Sequence, residues 1–63
     1  MGITYQKILD FAYYNCYYLE EWETEDGYAI SVYTSTYTKN NYYFDSDKNF
    51  IEWEEERADV WND

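Results

Sequence analysis

Residues 45–63 read Asp-Ser-Asp-Lys-Asn-Phe-Ile-Glu-Trp-Glu-Glu-Glu-Arg-Ala-Asp-Val-Trp-Asn-Asp. This stretch carries eight of the fourteen carboxylates, yet Phe50, Ile51, Trp53, Val60 and Trp61 are threaded through it. A disordered acidic tail is poor in large apolar side chains, whereas burying one such side chain is worth about 1.5–3 kcal/mol. The segment is therefore read as one that folds while presenting carboxylates to water. As a strand over residues 50–56 it sets Ile51 and Trp53 toward the core and Glu52, Glu54 and Glu56 toward solvent. As a helix capped by Asn49, with Glu52 completing a capping box, it gathers Phe50, Trp53, Arg57, Val60 and Trp61 on one side. The strand is preferred, because a third strand stabilises an otherwise marginal hairpin; residues 57–63 then form a short helical turn or tail.

Sixty-three residues make one domain, 1–63, near the lower limit for folding without disulfides or metal. Leu, Ile and Val are few, and a quarter of the chain is aromatic, with ten Tyr. Buried rings bring about 150–250 Å² each, so the expected core is built from rings whose hydroxyls reach the surface. Cys16 is the single cysteine, which rules out an intramolecular disulfide. Together with the lack of any apolar run near ~18 residues and of a signal-peptide pattern, it points to a reducing cytoplasm.

The rest of the chain reads as α+β. Tyr5, Leu9, Ala12, Cys16 and Leu19 alternate spacings of four and three, predicting a helix over residues 3–19 with Thr4 as its cap. Cys16 is read as a small apolar member of that stripe. Residues 20–27 form an acidic connection in which Asp26-Gly27 is a turn signal; it closes a hairpin between residues 18–24 and 28–34 or starts the next strand. Residues 28–37 are the clearest strand, with Tyr28, Ile30 and Val32 on one face and Ala29, Ser31, Tyr33, Ser35 and Tyr37 on the other. Lys39-Asn40-Asn41 is turn chemistry, residues 42–45 the return strand and residues 46–49 another turn. The predicted architecture is an N-terminal helix packed on a small antiparallel sheet of three or four strands, with a short acidic C-terminal segment. The tyrosines at 13, 14, 17 and 18 are read mainly as cover for the sheet and secondarily as a binding surface.

Chemistry is sparse. No His stands beside Cys16 as a base, and no Ser–base or Lys-centred constellation has a recognisable spacing, so no enzyme is expected. Asp45, Asp47, Asn49, Ile51, Trp53 and Glu56 fall on the ligand positions of a calcium loop of the EF-hand type. Phe50, however, stands where Gly permits the sharp turn, and residues 42–44 read as strand where an entering helix is required. No metal and no cofactor is expected.

The net charge of −10 is the main functional signal. It disfavours direct contact with nucleic acid or anionic lipid and favours a basic protein partner. Glu52, Glu54 and Glu56 on a strand are spaced by about 6.6–6.8 Å, close to two axial steps of a DNA strand at ~3.4 Å each. Glu20, Glu21 and Glu23, with Glu25 and Asp26, supply a second flank. Glu52, Glu54, Glu55 and Glu56, with Asp45 and Asp47 beside them, are the candidate phosphate surrogates. Trp53 or Trp61 is the candidate anchor in an apolar pocket, Trp being enriched among interface hot spots.

In size, charge and aromatic content the chain resembles the small acidic proteins that phages and mobile elements make against host defence or repair enzymes. Their targets include restriction enzymes, CRISPR effectors and uracil-DNA glycosylase. The resemblance implies an inhibitor that occupies the groove of a DNA- or RNA-binding enzyme. It is one of composition, not of motif: glycosylase inhibitors carry a Glu-Ser dipeptide on their inhibitory edge, where this chain offers only Asp45-Ser46. Three further readings stand beside it: an adaptor that binds through the tyrosine face, a domain whose charge serves solubility alone, and a homodimer that completes a small core.

Overall fold

The computed structural model describes residues 2–57; Val60 and Trp61 lie outside the described residues. One helix, α1 (Tyr5–Tyr14), is followed by β1 (Tyr18–Glu23), β2 (Gly27–Tyr33), β3 (Thr38–Asp45) and β4 (Phe50–Arg57). The strands form one antiparallel sheet in the order β1-β2-β3-β4. The fold is α+β as the pattern predicts, with four strands.

Helix α1 starts where expected: Thr4 is extended and its side chain accepts a hydrogen bond from the Lys7 backbone N–H at 3.1 Å. It ends five residues before Leu19. The Tyr17 N–H donates to the Ala12 carbonyl (2.9 Å) and the Cys16 N–H to that of Tyr13 (3.1 Å). Between them Cys16 takes a left-handed backbone with φ 59°, the position where helices usually place Gly. The Phe11 and Tyr17 rings close this terminus edge-on at 5.5 Å. Extending the helix would have set Glu20, Glu21 and Glu23 at its negative end and forced the strand-favouring Tyr17 and Tyr18 to stay helical. Leu19 still packs on the core, but from β1, opposite Val32. Cys16 is exposed rather than part of the stripe.

The core lies between α1 and one face of the sheet. Ile8 and Ala12 meet Ile30, Val32, Tyr42 and Phe44, with Tyr5, Leu9, Tyr17, Leu19, Tyr28 and Phe50 around them. Rings supply much of it: Tyr5 stands edge-on to Phe44 at 5.0 Å and to Tyr28 at 6.4 Å, and Phe44 to Phe50 at 5.9 Å. Each such pair adds about 0.5–1.5 kcal/mol beyond area burial.

One turn differs in placement. The β2–β3 turn falls at residues 34–37, where the Thr34 and Ser35 N–H groups donate to the Thr38 carbonyl at 3.1 and 3.3 Å. Lys39, Asn40 and Asn41 are therefore inside β3, because the Asn side chains find partners there: Asn40 on Tyr42, Asn41 on Ser31, Glu54 and Glu56. The β1–β2 connection is the hairpin alternative, with Thr24 and Gly27 bonded across it. A Cβ on Gly27 would run into the Phe44 carbonyl oxygen and the Asp45 backbone, so this close approach requires glycine.

The β3–β4 turn forms at residues 46–49. Asp45 accepts from the Asp47 and Asn49 N–H groups at 2.9 Å each, and Lys48 is left-handed with φ 67°. The Lys48 ammonium lies over the Tyr5 and Tyr28 rings at 4.5 and 5.0 Å. The calcium-loop positions are thus flanked by two strands rather than by helices. Strand β4 begins with a bulge: Phe50 pairs with Phe44 and Glu52 with Tyr43, leaving Ile51 as the extra residue. Ile51 and Trp53 do not reach the core; each is 51% exposed. A single ten-residue helix covers β2 and β3 and leaves the edge strand β4 open.

Candidate functional site

Strand alternation sends every second side chain to the face opposite α1. Among the described residues no element lies over that face. The register arranges it in three rows running across all four strands: Tyr18, Tyr33, Lys39 and Glu56; Glu20, Ser31, Asn41 and Glu54; Trp22, Ala29, Tyr43 and Glu52. Carboxylates stand on both edge strands, with a neutral floor between them.

The floor is closed although no layer covers it. Ala29, Ser31 and Asn41 are 0%, 1% and 3% exposed, because larger neighbours stand over them. The Ser31 hydroxyl donates to the Asn41 carbonyl oxygen at 2.5 Å, so the Asn41 amide is turned outward. It donates to Glu56 at 2.6 Å and to Glu54 at 3.5 Å. The Tyr43 hydroxyl donates to Glu54 at 2.8 Å. On the other edge, Glu20 accepts from Tyr33 at 3.1 Å and from Tyr18 at 3.4 Å. Lys39 lies 3.9 Å from Glu56 and over the Tyr33 ring at 5.5 Å. Trp22 and Tyr43 meet at 6.4 Å with their planes perpendicular.

The Tyr43 and Tyr33 hydroxyls are poised to stay donors. Burial, then the hydrogen bond to Glu54, then the charges of Glu54, Glu56 and Glu52 push the Tyr43 hydroxyl up to about 12. Burial and the bond to Glu20 raise Tyr33. Across the neutral range the tyrosines hold Glu20 and Glu54 in place. The hydrogen bond from the Asn49 backbone, against desolvation that opposes it and with further bonds from the Asp47 backbone and the Asn49 side chain, holds Asp45 below the usual carboxylate range.

The open face brings together four of the eleven candidate residues: Glu20, Glu52, Glu54 and Glu56. Glu21, Glu23, Trp53 and Glu55 lie on the helix side of the same two edge strands, where Glu21 accepts from the Tyr5 hydroxyl at 2.5 Å. That bond, after burial, pushes Tyr5 up to about 12. Trp53 stacks on Tyr42 at 6.0 Å with half of its surface still exposed. Asp45 and Asp47 sit at the β3–β4 turn, and Trp61 lies outside the described residues. The sequence reading missed Tyr33, Tyr43, Ser31, Asn41, Lys39 and Trp22. Alternation already set Tyr33 opposite Ile30, but reading Asn41 as a turn hid the row that links both carboxylate edges.

The tyrosines expected to cover the sheet do so only at Tyr17. Tyr13, Tyr14 and Tyr18 are 79%, 82% and 65% exposed. Among the described residues no helix is long and apolar enough to cross a membrane, and no group of three or more His, Cys, Asp or Glu is placed to hold a metal ion. No protein-family model matches the chain, and neither a curated protein nor a solved structure does.

Proposed function

We propose that this protein is a non-catalytic inhibitor that occupies the groove of a basic nucleic-acid-binding enzyme, in the cytoplasm, by imitating the phosphates of the natural ligand. The observation that carries the reading is the row Glu20, Ser31, Asn41, Glu54, in which hydrogen bonds hold a carboxylate on each edge strand. Three strand spacings separate the two edges, roughly 14 Å, against about 12 Å for the major groove between the phosphate strands of a duplex. Along β4, Glu52, Glu54 and Glu56 lie beyond the bulge and keep the regular two-residue step, about 6.6–6.8 Å. Prepositioned carboxylates bind without the entropy loss of ordering long side chains, and a charge of −10 steers a basic partner toward them.

The direct test is to immobilise the protein, expose it to a bacterial lysate and elute with duplex DNA. The reading expects a nucleic-acid-binding protein that DNA releases. A captured protein that binds DNA while still held on the resin would contradict it and favour an adaptor. The exposed Tyr13 and Tyr14 on α1 supply the surface for that second reading.

A further inference from the structure

We infer, resting on the mimicry reading, that the open face takes an arginine-bearing segment of its partner, with one guanidinium seated on the row of Trp22, Tyr43 and Glu52. The neighbouring row shows the mode of seating within the chain itself. There the Lys39 ammonium lies over the Tyr33 ring at 5.5 Å and 3.9 Å from Glu56. The row of Trp22, Ala29, Tyr43 and Glu52 repeats those parts, an aromatic floor ending in a β4 carboxylate, but contains no cation. Glu54 and Glu56 are engaged by Tyr43, Asn41 and Lys39. The Glu52 side chain accepts no hydrogen bond from another side chain among the described residues, and Trp22 keeps 41% of its surface exposed.

Charge complementarity sets the class of occupant. A face with four carboxylates and one lysine, on a chain of net charge −10, repels nucleic acid and anionic lipid and attracts cationic side chains. Ring chemistry then selects among the cations. A planar guanidinium stacks on an indole or phenol while its fork pairs with a carboxylate; a hydrated ammonium does this less well. Ala29, fully buried beneath the two rings, keeps them standing above the floor.

The test titrates hexa-arginine and hexa-lysine peptides into the isotope-labelled full chain at equal ionic strength, following the Trp22 indole and the backbone amides. Hexa-arginine is expected to bind at least ~3-fold more tightly, with the largest shifts at Trp22, Tyr43 and Glu52. Trp22→Leu on the exposed edge strand should remove that preference, weakening hexa-arginine binding more than hexa-lysine binding. Glu52→Gln, at an exposed position whose carboxylate has no hydrogen-bond partner among the described residues, should weaken hexa-arginine binding without touching the fold. Equal affinity for the two peptides, or a preference that survives Trp22→Leu, overturns the arginine seat. Equal but salt-sensitive binding overturns the seat alone and leaves the mimicry reading standing. Failure of both peptides to bind overturns the two together.

Discussion

Asn41 shows how one polar residue links the interior of this small fold to its surface. Its carbonyl accepts from buried Ser31, and its amide holds Glu54 and Glu56. Asn41→Ala leaves the Ser31 hydroxyl without its partner and should cost about 1–3 kcal/mol by chemical denaturation. Adding Ser31→Ala should cost less than the sum of the two single changes, because the double variant leaves no buried hydroxyl unpaired. Additive effects would show that the pair is not coupled. The tyrosines make a second prediction. Tyr5 and Tyr43 are pushed from 10.0 to about 12 in the folded chain, so on raising the pH the unfolded chain loses those protons first. Their contribution is fully present below pH 10 and is lost as pH rises toward 12. Stability measured across that window should fall, and Tyr5→Phe should make the fall shallower.

At the scale of elements, the limits of reading the sequence have physical causes. Alternation identified β2 and the end of β3, because buried Ile30, Val32, Tyr42 and Phe44 lie two apart on one face. The strand reading of residues 50–56 matches β4, and its alternation placed Glu52, Glu54 and Glu56 together. The end of α1 was not legible, since Leu19 satisfies the apolar stripe equally well from a strand. Nor was β3 across Asn40 and Asn41, whose preference for turns is outweighed by side-chain partners that only the register supplies. The carboxylates could be found by composition alone. The hydroxyls and amide that hold them could not, because they come from three different strands. The helix terminus carries its own prediction. Cys16 holds a left-handed backbone that costs a non-glycine residue about 1–2 kcal/mol, and its side chain is exposed. Cys16→Gly should therefore stabilise the fold by about 0.5–1 kcal/mol after the added entropy of the unfolded chain. A loss of stability would mean that the thiol contributes packing to this terminus.

For the whole molecule, charge acts on folding and on binding with opposite signs. Self-repulsion at −10 opposes the compact state, and salt screens it over a Debye length of about 10 Å at 0.1 M. Raising salt from low to moderate concentration should therefore raise the melting temperature while weakening attachment to a basic partner. A partner held more tightly at high salt would point to an apolar contact, for which exposed Tyr13 and Tyr14 are placed. Dimerisation through β4 is opposed at low salt, because that edge would set glutamates of one copy against those of the other. Sedimentation across a concentration series at two salt levels reads this directly. The central claim is that one side of the sheet, and not charge in general, engages the partner. Glu54 and Glu55 are neighbours in sequence but stand on opposite faces, Glu54 opposite Asn41 and Glu55 opposite Asn40. The most direct measurement compares Glu52→Lys with Glu54→Lys, as a pair, against Glu55→Lys with Glu21→Lys, as a pair, for their ability to displace duplex DNA from the captured partner. Both pairs change the net charge by the same amount. The open-face pair should lose competition at least ~10-fold more than the helix-side pair, about 1.4 kcal/mol. Equal losses from the two pairs would contradict the account.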